Sequence, residues 1–414
     1  MLGVSDDSTG TPLSYRQVLA SPNVPQLLLA ASLSRLAEGV LLFVVVLYVI
    51  VEFGSASLAG LSAFFLTLPG FLVSPVAGAV LDRLGVVRAV VLDTLSSAVL
   101  IATIAVLSWA DALRAPILFV LLTLYSLTSP LTSGGIRTLF PRFVPEPAYD
   151  KANALDLSTF SVIDVVGPLI AGALFAGIGA NPTLLCVAVT YALAAASVAL
   201  LREPAPETEH PPPRQHLLRA AWDGVVHLVR NPTLRALAVS YSLYQAASGM
   251  LIVIVPVAVG RWLGDTDGTE RYVGVLWAVA GLAGTVGALV AGRLVGAGRE
   301  RAYMVGATLV CAAAIFPVSA LGSIVALGAG LALVGLSEGA VNVSLLSLRQ
   351  RRTEPAWLGR VMTVSISVNL MGFPVGTLLG GLVVTHSVTV ALAVAAALAV
   401  GSAASARLLV PGEA

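Results

Sequence analysis

The chain is cut into apolar runs of about twenty residues, each ended by charge, proline or glycine, and that recurrence constrains the fold more than any motif. At about 1.5 Å per residue, such a run crosses the roughly 30 Å hydrocarbon core of a bilayer as a helix. A helix satisfies its own amides, which lipid cannot do. The runs fall near 26–51, 57–81, 88–109, 114–136, 154–179 and 181–201, then near 233–260, 272–294, 301–321, 323–348, 360–385 and 388–408. A soluble chain carries about 25% charged residues; here charged residues are 11%, hydrophobic residues 57% and mean hydropathy +0.93. The sequence predicts an all-α membrane protein of twelve transmembrane helices in two six-helix halves, with the lipid bilayer as a partner.

The halves are 1–202 and 232–414, joined by a polar linker, 203–231, that is too rich in Pro and Glu to span. Leu217, Leu218, Ala221, Val225, Leu228 and Val229 recur there at helical spacing, as in a helix lying on a membrane surface. Of the 23 Lys and Arg, only Arg114, Arg261 and Arg271 fall at the opposite loop ends, and Arg35 lies inside the first run. Basic loops stay in the cytoplasm, so both termini and the linker are expected there. The polar start, Met1 to Asn23, lacks the pattern of a removable signal peptide. Cys186 and Cys311 are embedded in apolar runs, which suits packing rather than a disulfide framework or a metal site.

Lys plus Arg number 23 against 22 Asp plus Glu, so no basic field exists to hold nucleic acid. Lys151 is the single lysine and follows no glycine-rich loop, so no nucleotide phosphate site is expected. His210, His216, His227 and His386 lie in the linker or near a span end, which argues against a hydrolase; no enzyme activity, cofactor or metal is expected.

Gly78, Asp82, Arg83, Gly85 and Arg88 follow the second run, and Gly292, Arg293, Gly296 and Arg299 follow its counterpart in the second half. Gly167-Pro168 and Gly172 break the fifth run, as Gly372, Pro374 and Gly376 break the eleventh. Matching helix breaks in two halves point to a transporter with its site between them.

The loop of Gly78, Asp82, Arg83, Gly85 and Arg88 resembles the signature between the second and third helices of the major facilitator superfamily. The resemblance implies that this loop latches the halves together in the outward-facing state; the second copy has Gly292 in place of an acid. Arg137 to Glu146, Ala152-Asn153-Ala154, Gly167-Pro168, Gly359-Arg360-Val361 and Pro374-Val375-Gly376 resemble the drug/proton antiporter branch that includes macrolide and enterobactin exporters. That likeness implies proton-coupled efflux of drugs.

Charge at the centre of a span costs about 2.5 to 3.5 kcal/mol on insertion scales and usually faces a cavity. Glu38, Arg35, Asp164 and Glu338 are the proton-coupling candidates. Glu38 lies about 18 Å into its run and shares a helix face with Arg35, so the two can pair. Desolvation and a neighbouring arginine then pull on the carboxylate in opposite directions, a tension that suits a proton carrier. Asp164 lies a turn before Pro168, and Glu338 sits among small residues with Asn342 four residues on. Asp93 is read as a partner of the loop arginines. Span position nominates Phe64, Tyr125, Tyr241, Tyr244, Gln245, Trp277, Asn342 and Asn369 as walls of an apolar cavity. With Arg35 the one deep cation, a neutral or cationic lipophilic substrate is favoured over an anionic one.

The expected function is export of a lipophilic small molecule against protons by alternating access, in the cytoplasmic membrane of a bacterium, by a monomer. Alternatives are export of a metabolite or siderophore, proton-coupled import on the same fold, or a membrane receptor that moves nothing. If the Asp82 loop is a latch, Asp82→Asn lowers flux while leaving expression intact; reconstituted flux at equal protein density measures this.

Overall fold

The computed structural model describes residues 15–21, 23–143, 149–201, 225–264, 268–295, 298–318, 321–353, 365 and 367–411. Among these residues every regular element is helical. After a short helix, Tyr15–Leu19, come α1 (Val24–Phe53), α2 (Ala56–Leu84), α3 (Val86–Trp109), α4a (Ala115–Thr128), α4b (Pro130–Phe143), α5 (Tyr149–Ile178) and α6 (Ala180–Ala199). The second half contributes α7 (Pro232–Leu263), α8 (Thr269–Leu294), α9 (Glu300–Ala313), α10 (Ile324–Arg351), α11 (Gly372–Val384) and α12 (Val388–Leu409).

Among the described residues, eleven helical spans are long and apolar enough to cross a membrane, with α4a and α4b counted as one, Ala115–Leu139. The remaining run, expected over 301–321, is the short α9, which ends in a π-helical turn, Ala314–Val318. The fourth run is broken because Pro130 has no N–H to continue α4a. Most of the linker lies outside the described residues; its end, 225–230, is helical, and Leu228 packs with Leu234 and Ala238 of α7.

Within the first half α6 packs on α1 and α3, and α5 on α1; within the second, α7 packs on α11 and α12, and α8 on α10. The halves meet mainly along α5 with α8 and along α2 with α11. By position in each half these two contacts are equivalent, as the matching helix breaks implied.

Glycine sets how close the helices come. A Cβ on Gly372, Gly376 or Gly380 would strike the carbonyl of Ser242, Ala246 or Met250 on α7. Gly335 and Gly339 of α10 lie likewise against the carbonyls of Ala280 and Gly284 on α8. Between the halves, Gly172 abuts the Glu270 carbonyl, Gly274 the Pro168 carbonyl, and Gly60 meets Gly381 and the Thr377 carbonyl. In the first half Gly167 rests near Gly39 and Val40 of α1. Gly85 closes α2 and opens α3 at φ +80°, a backbone conformation that disfavours a side chain. The cross-half contacts Gly60–Gly381 and Gly172–Gly274 lie toward the arginine-poor ends of their helices.

Gly376→Ala is therefore expected to lower stability by about 1 to 3 kcal/mol, since the backbone must shift to admit the methyl. Gly306→Ala, where nothing lies near the added atom, is expected to be neutral or slightly stabilising. Thermal unfolding in detergent compares the two.

Candidate cavity between the halves

Glu38 of α1, Asp164 of α5 and Glu338 of α10 line one cavity of about 600 Å³ between the halves. The helix packing brings them there. Gly39 lets α1 lie beside Ile163 of α5, and Gly335 and Gly339 press α10 onto α8. Pro168 cannot donate to the Asp164 carbonyl, and Gly281 of α8 lies close against that oxygen. The rest of the wall is partly aromatic, with Phe43 of the first half and Trp277 of the second at 5.6 Å between ring centres. Asn342 also lines the cavity, and its Oδ1 accepts a hydrogen bond from the Tyr241 hydroxyl at 2.6 Å.

Arg35 reaches the same wall, but the expected Arg35–Glu38 pair is not formed. Arg35 donates instead to Asp156 Oδ1 at 2.6 Å, to the Asp156 carbonyl at 3.1 Å and to the Thr159 hydroxyl. Its guanidinium also lies over Phe160, 3.7 Å from the ring centre, with Arg137 at 5.6 Å from the same ring. The end of α5 offers a carboxylate, a carbonyl and an aromatic face together, which suits a planar cation better than one carboxylate on its own helix. The Arg35 charge is thus matched by Asp156, with the side chains 10% and 11% exposed. Among the described residues Glu38, Asp164 and Glu338 have no ion-pair partner. Asp156 was missed in the sequence because it lies near the end of its run, where charge is inexpensive; its partner is 121 positions away.

Of the wall candidates, Trp277 and Asn342 line the cavity and the others do not. Tyr241 stands behind Asn342 and stacks on the buried Tyr244 at 5.7 Å. Gln245 is buried in α7, Phe64 packs edge-on against Phe65, and the Tyr125 hydroxyl meets that of Tyr191 at 2.5 Å inside the first half. Asn369, 1% exposed, faces Arg349: with its amide oxygen turned to that arginine it accepts from Nη2 at 2.5 Å and donates to the Ser365 carbonyl at 3.2 Å. Arg349 itself, counted with the basic loops by sequence, is buried in α10.

The loop residues Asp82, Arg83 and Arg88 are exposed and form no hydrogen bond or ion pair among the described residues. Asp93 is not their partner; it is buried and accepts from the Thr132 backbone N–H at 3.2 Å. The helix-break residues Gly167, Pro168, Gly372, Pro374 and Gly376 are buried and act through packing, with Pro168 also bordering the cavity. At the arginine-poor end a second cavity, of about 1350 Å³, includes Arg261, Glu270 and Arg271. Arg261 there donates to the Val384 and Thr385 carbonyls at the end of α11.

Breaking a buried pair leaves one charge uncompensated, at a cost of about 3 to 5 kcal/mol. Asp156→Ala is expected to lower thermal stability accordingly, and the double variant with Arg35→Gln to recover part of the loss; unfolding of the four proteins measures the coupling.

The model of the Major Facilitator Superfamily matches residues 27–376. An uncharacterized MFS-type transporter, y4rN, of Sinorhizobium fredii is 43% identical over 403 residues, covering 97% of this chain and 98% of the other. The multidrug efflux pump Tap of Mycolicibacterium fortuitum is 27% identical, covering 79% and 81%. The enterobactin exporter EntS of Shigella boydii is 29% identical over 58% of this chain and 56% of its own length. Among solved structures, a bacterial homolog of the human lysosomal transporter Spinster shares the fold at TM-score 0.67 and 16% identity, covering 97% and 96%. A mutant of the nucleoside transporter NupG does so at 0.71 and 15%, covering 94% and 98%. The family match over most of the chain, two equivalent six-helix halves and a cavity between them lead to one conclusion: this chain is a member of the major facilitator superfamily, a multi-pass membrane transporter and not an enzyme.

Proposed function

We propose that the protein exports lipophilic small molecules across a bacterial cytoplasmic membrane by proton antiport, with its arginine-rich loop ends in the cytoplasm. The observation that carries this reading is the set of three carboxylates, Glu38, Asp164 and Glu338, facing one cavity from both halves with no cation paired to them among the described residues. Carboxylates in such a place exchange protons or bind cations, and either is lost when the other arrives. The aromatic pair Phe43 and Trp277 supplies an apolar surface for the rest of the substrate. The similarity to Tap supports a drug as cargo, and the positive-inside rule supports the orientation.

A second reading, export of a siderophore or other metabolite, is favoured by the likeness to EntS. It asks a cavity with three carboxylates to accept an anionic cargo, so the drug reading is preferred.

In proteoliposomes carrying a pH gradient, a lipophilic cation or macrolide is expected to drive proton movement in the wild type, and Glu38→Gln to abolish it while substrate still binds. Binding without proton movement in either protein would remove antiport from the mechanism.

A further inference from the structure

The two seams between the halves are closed over different lengths. Along α2 and α11 the halves are joined over about 25 Å, the rise from Ser57 to Ser74. Ser57 Oγ donates to the Gly381 carbonyl at 3.3 Å, and Gly60 lies against the Thr377 carbonyl. Further in, the hydroxyls of Ser74 and Ser367, the latter in the helical turn leading into α11, bond at 2.8 Å. Along α5 and α8 the contacts run only from Gly172 and Glu270 to Asp164 and Gly281. Beyond that point no hydrogen bond or ion pair joins these two helices among the described residues, although α8 continues for about 20 Å to Leu294.

Helical spacing shows what the two helices face there. Gly274 and Gly281, two turns apart, meet α5, and Thr285 and Ala288 prolong the same face of α8. Both border the cavity, as does Ser161, one turn before Asp164 on α5. The faces that join the helices in the outer half therefore stand apart in the inner half, with the cavity between them. The far side is closed, by α1 with Gly39 beside Ile163 and by α10 with Gly335 and Gly339 against α8. On the near side, one residue further round each helix, stand Val162 on α5 and Leu282, Val286 and Leu289 on α8, all more than half exposed. The Thr285 hydroxyl is taken up by the Gly281 carbonyl of its own helix at 3.2 Å, which leaves the α8 edge of the gap apolar. Exposed aliphatic side chains on a spanning helix face lipid chains, so the gap leads from lipid to Glu38, Asp164 and Glu338.

We propose that the gap between α5 and α8 is a substrate subsite for a single-chain amphiphile with a cationic head, taken from the membrane leaflet on the arginine-rich side. The head sits among the three acids, and the chain lies between Val162 on one edge and Leu282 and Leu289 on the other, its end still in lipid. Charge selects the head and the aliphatic edges select the chain, so neither part is placed against a surface that disfavours it. This inference rests on the export reading of the cavity.

The test uses the wild-type protein in proteoliposomes and dodecyltrimethylammonium carrying a photoreactive diazirine at the end of its chain. After irradiation the labelled residues are mapped by peptide mass spectrometry. Only labelling lost in the presence of excess unlabelled dodecyltrimethylammonium is counted, because free probe in the lipid marks every exposed face. Displaceable labelling is expected on the segments bearing Val162, Leu282 and Leu289, and not on the segment of α2 bearing the equally lipid-facing Leu72 and Val76. Displaceable labelling confined to residues inside the cavity, such as Phe43 and Trp277, or equal on α2 and α8, overturns the subsite, as does its absence. Proton movement driven by the same compound is read separately. Labelling at the gap without proton movement removes antiport and leaves the subsite, whereas proton movement with labelling confined to the cavity removes the subsite alone.

Discussion

Helices surrounded by lipid gain little by burying apolar side chains against one another, because the lipid is as apolar as the side chains; close backbone approach is what joins them. In this chain the approach is made repeatedly by a glycine set against a carbonyl of the next helix. Pro168 shows how the pieces fit. By lacking an N–H it leaves the Asp164 carbonyl without its helical donor, and Gly281 of α8 lies against that oxygen, while Gly274 covers the carbonyl of Pro168 itself. A proline on one half and glycines on the other thus form one contact, and weak Cα–H contacts to those carbonyls recur at such crossings.

The position of that contact decides what the cavity contains. α5 and α8 touch from the arginine-poor end inward to Asp164 and Gly281, and the space left beyond them is bounded by α1 and α10, whose own glycines hold them in place. Helix contacts lie within about a turn of each carboxylate: Gly39 beside Ile163 near Glu38, Gly281 and Gly274 against the Asp164 and Pro168 carbonyls, and Gly335 and Gly339 against α8 around Glu338.

Depth was legible in the sequence and direction was not. The rise per residue alone places Glu38, Asp164 and Glu338 deep in their runs, and all three reach the cavity. The helix breaks were legible because proline and glycine act locally. The direction a side chain faces is carried by hydrophobic periodicity in a soluble helix, but here lipid and core are equally apolar and the periodicity vanishes. That is why Tyr125, Tyr244 and Gln245, at suitable depths, turn into the packed halves instead of the cavity, and why Arg349, in a run of loop-like charge, turns inward to Asn369. Arg35 misled for a further reason: a partner on its own helix was visible, while Asp156 became a neighbour only once α1 and α5 were packed.

The halves share their glycine framework and differ in their charges. In the first half the deep arginine is neutralised within the half by Asp156; in the second, Arg349 is held by an amide oxygen and lies away from the cavity wall. Among the described residues, the side chains at the cavity without an ion-pair partner are acids on both sides, Glu38 and Asp164 against Glu338. Ionised carboxylates on opposite walls repel one another, less where water reaches them, and Glu38 and Asp164 are both exposed while Glu338 is half-buried. On the proposed antiport reading, a proton or cation taken up in the cavity lowers that repulsion and so couples occupancy to the separation of the halves through charge.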